Sequence, residues 1–302
     1  MQTPEIILTE DQRNELMQIP STISDWEIAK YYTLSETDLE VINQHRRNHN
    51  RLGFAVQLCC LRYPGWPLTY MKSIPDTVLS YISMQINVDH IKEFEAYAQR
   101  EKTRREHLQE LRDLYGYISF SEDIGSQLEN RLLPHAMEND NSLRLVKLAI
   151  ENLRGQKIIL PGITTIEKIV GKVSRLAEDK IYEIINKSLT LKQKKALDSL
   201  VESSNEMTSA TLTHLKEEPG QGSPQTFLKI IERLEAIRNL GLTLDLKEIH
   251  PNRIKQLSRL GSKYELYSFR RFEEPKRYAM LAVFLQDLSE RLIDYAVEIH
   301  DK

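Results

Sequence analysis

The chain has 302 residues, of which 40% are hydrophobic and 28% charged, and its formal net charge is −3. This length exceeds a typical single core and predicts two or three domains, while the composition excludes a disordered chain and a membrane protein. Glycine and proline, at 11 residues each, are scarcer than the roughly 12% of an average protein. Because β-rich folds use such residues at their many turns, the scarcity favours helices.

Local patterns indicate a chain that is neither exported nor membrane-spanning. The two cysteines, Cys59 and Cys60, are adjacent and form no disulfide framework, which fits a reducing cytoplasm. The first residues lack a basic segment followed by an apolar one, and no apolar run reaches the roughly 18 residues of a membrane span. We therefore expect a cytoplasmic protein without a membrane partner.

Five Ser/Thr-x-x-Glu/Gln/Asp patterns predict capped helix starts. In such a capping box the hydroxyl accepts a hydrogen bond from an early backbone N–H, and the acid or amide reaches back to the cap residue. The cap residues are Thr9, Ser24, Ser35, Thr103 and Thr164. Ser223 before Pro224 marks a further start, and its helix is predicted to stop at Gly241.

Residues 26–45 fit a helix-turn-helix with Ile28 and Ala29 packing inward. They lie within the acidic region 1–45, which contains nine acidic and two basic residues. The second helix opens with Glu36, and carboxylates there repel phosphate, so a plain helical hairpin explains the pattern equally well.

A basic cluster follows this hairpin. Arg46, Arg47, Asn50 and Arg51 stand where the next helix begins. Arginine pairs with phosphate or with guanine edges, and asparagine pairs with adenine. The alternative is that these arginines form salt bridges with the acidic helices before them.

The same region contains residues with metal-ligand chemistry. His45 and His49 are four residues apart, and Cys59 and Cys60 follow. Adjacent cysteines point to different sides of a helix, so a packed thiol pair and a polar histidine edge are the simpler interpretation. We expect no metal and no cofactor.

A second basic cluster contains Arg100, Lys102, Arg104 and Arg105. The last two fall in the first turn of the helix predicted to start at Thr103, where the helix dipole disfavours cations. An external phosphate would relieve this conflict, although neighbouring glutamates offer an internal alternative.

Two longer regions are basic as well. Residues 153–195 contain ten basic and four acidic residues, and residues 246–277 contain nine basic and four acidic residues. In the first region, Lys168, Lys172 and Arg175 line the helix face opposite an apolar stripe. Such a face is a candidate surface for tracking a nucleic-acid backbone.

Polar, breaker-rich segments near residues 138–141 and 217–224 predict two linkers. They divide the chain into an N-terminal helical module at 1–140, a second at 141–220 and a third at 221–302. The apolar pattern of the last residues is that of a helix interior, so we expect the third module to continue in a longer protein.

Several motifs, taken together, resemble the N-terminal region of the large replicative transposases of the Tn-three family. They are NRLGFAVQL at 50–58, LRYPG at 61–65, TRREH at 103–107, YGY at 115–117, TTIE at 164–167, LEAIRNLGL at 234–242, HPNR at 250–253 and RRF at 270–272. The resemblance covers nearly the whole chain in order. It implies an all-α fold of tandem, helix-turn-helix-like bundles joined by short linkers.

The resemblance also implies a function, which is sequence-specific binding of double-stranded DNA at the terminal inverted repeats of a transposon. The family's catalytic acids lie in an RNase H-like domain toward the C-terminus, and nothing here matches that domain, so we expect no enzymatic activity. The implied setting is the bacterial cytoplasm, in association with the nucleoid, with a homodimer formed through the C-terminal region that is not in this chain. The candidate DNA-binding residues are Arg46, Arg47, Asn50, Arg51, Arg100, Lys102, Arg104, Arg105, Lys157, Thr164, Thr165, Lys168, Lys172, Arg175, Arg253, Arg270 and Arg271.

Two other classes of function remain open. An α-helical interaction scaffold would use the same basic faces to bind an acidic partner subunit, and its affinity would depend much less on salt. A magnesium nuclease would need carboxylates that converge in space, and the acids here have the spacing of helix surfaces.

Overall fold

The computed structural model describes residues 7–202, 212–218, 220 and 222–300, and its regular structure is almost entirely helical. The all-α prediction is confirmed. Within the described residues, the exception is one pair of two-residue parallel strands, β1 (Ile118–Ser119) and β2 (Ile158–Ile159), in which Ile118 lies opposite Ile158. Sequence patterns gave no sign of so short a pair.

Contacts divide the chain into two compact units. The first comprises the residues up to Leu132 together with Asn141–Val173, and the second comprises Leu133–Asp140 together with the residues from Ser174 onward. The predicted boundary at residue 220 falls inside the second unit, whose core draws side chains from both sides of it. The division into three independently folding modules stays a prediction.

The helices of the first unit include a long run of short elements followed by longer ones. They are α1 (Glu10–Met17), α2 (Asp25–Tyr32), α3 (Glu36–Asn43), α4 (Asn48–Arg62), α5 (Asp76–Ile86), α6 (His90–Ala98), α7 (Glu101–Tyr115), α8 (Glu122–Glu138), α9 (Ser142–Gly155) and α10 (Ile163–Ser188). A 3₁₀ turn covers Leu68–Tyr70. Both α8 and α10 contribute residues to each unit.

Helix α4 is the centre of the first unit, because every residue from Leu52 to Leu61 is buried. Gly53 lets α6 approach closely, since a Cβ atom there would clash with the ring of Tyr97. Trp66 is completely buried, and its indole N–H donates to the carbonyl of Pro161 at 2.7 Å. The close packing fixes both ends of α4 relative to its neighbours.

Three of the five predicted capping boxes are confirmed, at Thr9, Ser24 and Ser35. In each, the hydroxyl accepts the backbone N–H three residues on and the residue at that position reaches back. The hairpin prediction placed Ile28 and Ala29 inward. Ile28 is buried, but the prediction was wrong for Ala29, which is exposed because α2 turns that face to solvent.

The other two capping boxes were predicted wrongly. Helix α7 already begins at Glu101, and Glu106 contacts Lys102 at 3.8 Å instead of a cap residue. Helix α10 begins at Ile163, and the carboxylate of Glu167 accepts hydrogen bonds from Arg13 at 3.0–3.2 Å. In both helices the acid of the expected box has a different partner.

The second unit contains the remaining helices. They are α11 (Leu191–Glu202), α12 (Leu212–Leu215), α13 (Pro224–Asn239), α14 (Pro251–Lys263), α15 (Leu266–Arg271) and α16 (Glu274–His300). The predicted start of α13 is confirmed, because Ser223 accepts the N–H of Thr226, and Gly241 beyond its end has a positive φ of 63°. Helix α16 supplies the middle of the core, where residues Tyr278–Leu285 are all buried.

Among the described helices, none combines the length and apolar character that crossing a membrane requires.

Candidate nucleic-acid interface

The start of α4 presents two arginines to solvent. Arg46 and Arg47 are exposed, and neither forms a salt bridge with a carboxylate of the described residues. Arg47 is the N-cap residue but makes no side-chain capping bond, and the first turn of α4 contains no acid. The unbonded N–H groups of a helix start carry partial positive charge, so this helix end and both arginines favour an anion.

Aromatic rings pack around His45, two residues before the N-cap of α4. The ring of His45 packs 4.6 Å from Phe54 and 4.7 Å from His107, centroid to centroid. Burial lowers the pKa of His45 and lowers that of His107 to about 4. Both rings are therefore neutral near pH 7, and the carboxylate of Glu110 lies 3.7 Å from the His45 ring.

Asn50 and Arg51 lie on the inner side of the same turn. Asn50 is half-buried, and its Oδ1 atom has no hydrogen-bond partner. Arg51 donates to the side chain of Asn43 and, at 3.0 Å, to the carbonyl of Ile86. Arg51 thus joins the ends of α3 and α5 to α4 through neutral oxygens.

The α7 arginines have a different environment. Arg105 is exposed but pairs with Glu101, one turn earlier on the same helix. Arg104 is half-buried, and its Nε atom has no hydrogen-bond partner. Since α7 begins at Glu101, its first turn contains an acid beside Lys102, and Arg104 and Arg105 lie further along the helix, so the helix dipole acts less on these arginines than the sequence predicted.

The two other candidates at this helix end are exposed. Arg100 is the N-cap residue of α7 and forms no salt bridge within the described chain, whereas Lys102 lies 3.8 Å from Glu106.

In the first turns of α10, Thr164 and Lys168 are exposed and Thr165 is half-buried. Lys168 forms no salt bridge with a described residue, but the ammonium of Lys172 lies 2.6 Å from a carboxylate oxygen of Glu129. Spacings of four residues place Thr164, Lys168 and Lys172 on one side of the helix. Of these two lysines, Lys168 is therefore the one without a carboxylate partner among the described residues.

Lys157 precedes β2 and is exposed, with a positive φ of 55°. Its ammonium donates to the carbonyl of Tyr115 at 3.1 Å, which ties the chain before β2 to the end of α7.

The candidates of the second unit lie on three different helices, α10, α14 and α15. Arg175 is exposed on α10, and Arg253 is buried, with 3% of its surface exposed and a hydrogen bond of 2.7 Å to Gln256. Arg270 is exposed and donates to the carbonyl of Val201 at 2.9 Å. Arg271 is exposed and lies over the ring of Tyr267 at 5.4 Å. A buried guanidinium such as that of Arg253 has no surface to offer a duplex.

A mixed cationic and aromatic surface in the first unit was missed by the sequence reasoning. Lys30 lies 4.8 Å from the ring centroids of Trp26 and of Tyr31. Tyr31 stacks on Tyr63 at 4.2 Å, and the guanidinium of Arg154 lies 5.0 Å from the Tyr63 ring. The four-residue spacing of Trp26 and Lys30 was a visible signal, but the pairing of Tyr31 with Tyr63 depends on the fold.

The metal-ligand alternative gains no geometric support in the described part of the chain. His49 lies 3.5 Å from Glu93, and both cysteines are buried in the core of the first unit. Burial raises the pKa of the Cys59 thiol to about 12, which keeps it protonated. Among the described residues, no three His, Cys, Asp or Glu side chains are arranged to hold a metal ion.

Comparison with known proteins assigns the family. Residues 7–173 match the family model described as "Domain of unknown function (DUF4158)", which is more than half of the chain. The chain belongs to this family. The DUF4158 match ends at Val173, where the first compact unit also ends.

Beyond the DUF4158 region, the similarity to transposases continues along the chain. It is 47% identical over 299 residues to the transposase for transposon Tn1546 of Enterococcus faecium, and 33% identical over 298 residues to that for Tn501 of Pseudomonas aeruginosa. Each alignment covers 98% of the chain but 30% of the relative. The chain thus spans about 30% of the length of these relatives, and the predicted resemblance to the N-terminal region of Tn-three family transposases is confirmed.

Proposed function

We propose that this chain binds the duplex DNA of transposon ends as the N-terminal part of a transposase. The observation that carries the proposal is the start of α4, where Arg46 and Arg47 are exposed, lack a carboxylate partner among the described residues and directly precede an uncapped helix. The names of the relatives supply the context, since each is a transposase for a transposon.

The proposed contact is between this helix end and the phosphates of one DNA strand. The guanidinium groups pair with phosphate oxygens, and the backbone N–H groups of the first turn donate to the same anion. Such contacts position a protein on DNA without reading its sequence. Base reading is assigned to neighbouring side chains, with Asn50 as the residue whose amide chemistry suits adenine.

Lys168 and Thr164 on α10 are proposed as further backbone contacts, because both are exposed and neither is paired with a described carboxylate. The helix-turn-helix formed by α2 and α3 stays a prediction as a DNA reader. Its second helix exposes Glu36 and Glu40, which repel phosphate. Strand transfer is assigned to the part of the relatives that this chain does not match.

The decisive test is binding of the full chain to a duplex carrying the terminal inverted repeat and to a scrambled duplex of equal length. We expect tighter binding to the repeat, and a steep loss of affinity for both duplexes between about 50 and 200 mM salt. An affinity that is indifferent to salt and to sequence would favour the interaction scaffold instead.

The matched variants are Arg46→Ala/Arg47→Ala and the control Lys229→Ala/Arg238→Ala, which removes two exposed cations from α13. We expect the first to bind both duplexes about tenfold more weakly and to lower the salt slope by about 1.8, which corresponds to two phosphate contacts. The control should leave the slope unchanged. Equal losses in both variants would mean that total charge, and not the start of α4, governs binding.

A further inference from the structure

A cavity of about 390 Å³ in the second unit is lined by residues of α13, α14 and α16 and by the segment after α12. Its wall includes the apolar side chains of Phe284, Leu288 and Leu292. Three basic side chains, those of Lys216, Arg233 and Arg291, line the same cavity. Its volume is within the range of small-molecule sites, and such sites combine an apolar wall with a few polar groups.

Arg233 is the unusual member of this wall. It is 4% exposed, and it forms no salt bridge with a carboxylate of the described residues. One Nη atom donates to the carbonyl of Leu215, whereas the Nε atom has no hydrogen-bond partner. A buried guanidinium that contacts no carboxylate and leaves a donor unsatisfied is unfavourable, so this position favours a bound anion.

The other two basic groups already have partners. Lys216 donates to the carbonyls of Ser262, at 3.2 Å, and Tyr264. Arg291 donates to Asp287 at 2.9 Å. Among these three groups, the buried donor without a hydrogen-bond partner is therefore the Nε atom of Arg233.

The carboxylates close to the wall indicate the charge of the ligand. Besides the three basic residues, two acidic residues line the cavity, Glu217 and Glu218, and both are exposed. Glu217 lies 3.4 Å from His214, and its charge acts on Arg233 without forming a salt bridge to that guanidinium. Arg291 is paired with Asp287, so Arg233 is the buried guanidinium of the wall without a contacting carboxylate among the described residues, and one such charge suits a monoanion.

We propose that this cavity binds a small monocarboxylate with an apolar body, with the guanidinium of Arg233 as the partner of the carboxylate. The planar fork of arginine matches the two oxygens of a carboxylate. The side chains of Phe284, Leu288 and Leu292 supply the apolar surface for the body. This site lies apart from the start of α4 in the sequence and does not depend on the proposed DNA binding.

The test uses benzoate as the probe and follows thermal unfolding of the full chain at constant ionic strength set with sodium chloride. We expect saturating benzoate to raise Tm by about 5 °C, because a ligand that binds only the folded state stabilises it. Inorganic phosphate at the same ionic strength, which lacks an apolar body, should give no comparable rise. A rise with phosphate alone would overturn the assignment of an apolar carboxylate.

Three variants locate the effect. Arg233→Met removes the guanidinium, and Ser262→Trp places a bulky ring at the exposed rim while leaving Arg233 in place. Both should lose the benzoate-dependent rise in Tm, and if Arg233→Met does not fold, Ser262→Trp decides. Arg238→Met removes an exposed guanidinium from the same helix and should keep the rise. An equal rise in all variants, or none in the unmodified chain, would overturn the proposal.

Discussion

The starts of α4 and α7 carry the same sequence feature, a cluster of arginines, and differ in what surrounds it. At α4, Arg46 and Arg47 are exposed beside an uncapped first turn that contains no acid. At α7, Arg105 pairs with Glu101 and Arg104 is half-buried, which leaves Arg100 at the N-cap as the exposed arginine without a carboxylate among the described residues. We therefore expect a cluster of arginines to bind an anion only where the fold leaves the guanidinium groups without a carboxylate.

The largest expected effect comes from releasing the far end of α4. Arg62, the last residue of this helix, donates to both carboxylate oxygens of Asp38 at 2.8 and 2.9 Å, and Asp38 is only 1% exposed. Arg62→Met leaves that carboxylate buried and unpaired, which should cost about 3–5 kcal/mol of unfolding free energy in urea titration. The control Arg131→Met alters an exposed arginine and should change stability by less than about 0.5 kcal/mol.

The same pair makes stability depend on pH. Burial raises the pKa of Asp38, but hydrogen bonds from Ser35 and Arg62 outweigh it and hold the pKa below its usual value. The pair therefore stabilises the fold fully above about pH 4, and this contribution is lost as pH falls through the lowered pKa. In Arg62→Met we expect acid unfolding to begin at a higher pH. Identical acid unfolding of both proteins would contradict this account.

The next largest expected effect is the difference in DNA affinity between variants of the two helix starts. Arg104→Ala/Arg105→Ala should weaken binding to every duplex and lower the salt slope. We expect a loss of about threefold, against about tenfold for Arg46→Ala/Arg47→Ala, because one α7 arginine is already paired. Fluorescence anisotropy with both duplexes measures the difference. A greater loss for the α7 variant would reverse the ranking of the two sites.

Removing the acid from the first turn of α7 should make this helix start bind DNA more as we propose for the start of α4. Glu101→Gln frees Arg105 from its partner, and we expect DNA affinity to rise by about twofold at low salt. Glu122→Gln, which alters an exposed acid in the first turn of α8, is the matched control. If both variants raise affinity equally, the gain comes from net charge rather than from a released arginine.

The smallest expected effect is on α10, where we again expect only a cation without a carboxylate partner to contribute to DNA binding. Lys168 is unpaired within the described residues, whereas Lys172 lies 2.6 Å from Glu129. Lys168→Ala should weaken DNA binding by about twofold, and Lys172→Ala should have no measurable effect. In a Glu129→Gln background, Lys172→Ala should become as costly as Lys168→Ala. Equal effects in the original background would contradict the rule.

Local sequence predicted the capped starts of α1, α2, α3 and α13, because a cap and its partner are separated by only three residues. The box expected at Thr103 failed because α7 begins two residues earlier and Glu106 contacts Lys102, whereas the box at Thr164 failed for a reason that local patterns do not contain. Glu167 pairs with Arg13, which is 154 residues away along the chain. An acid with a distant partner is no longer free to complete a local box.

The sequence predicted which kinds of residue form the candidate site, but not the partners of their side chains. Residue types and spacing identified the arginines of α4 and α7 as two basic clusters at helix starts. They gave no indication that Arg51 and Arg270 bond to backbone carbonyls, or that Lys30 lies between Trp26 and Tyr31 on an aromatic surface. Each of these contacts joins separate turns or segments through the packing of helices.

By itself, the sequence determined that this chain is helical, where several of its helices begin, and that its basic residues are concentrated in particular regions. These properties depend on hydrogen bonds and apolar spacing within a few turns of helix. Only the tertiary structure decided that Arg253 and Arg233 are buried and that Arg46 and Arg47 remain exposed. Exposure and pairing are set by side chains distant in the sequence, because packing brings them together only after the helices have formed.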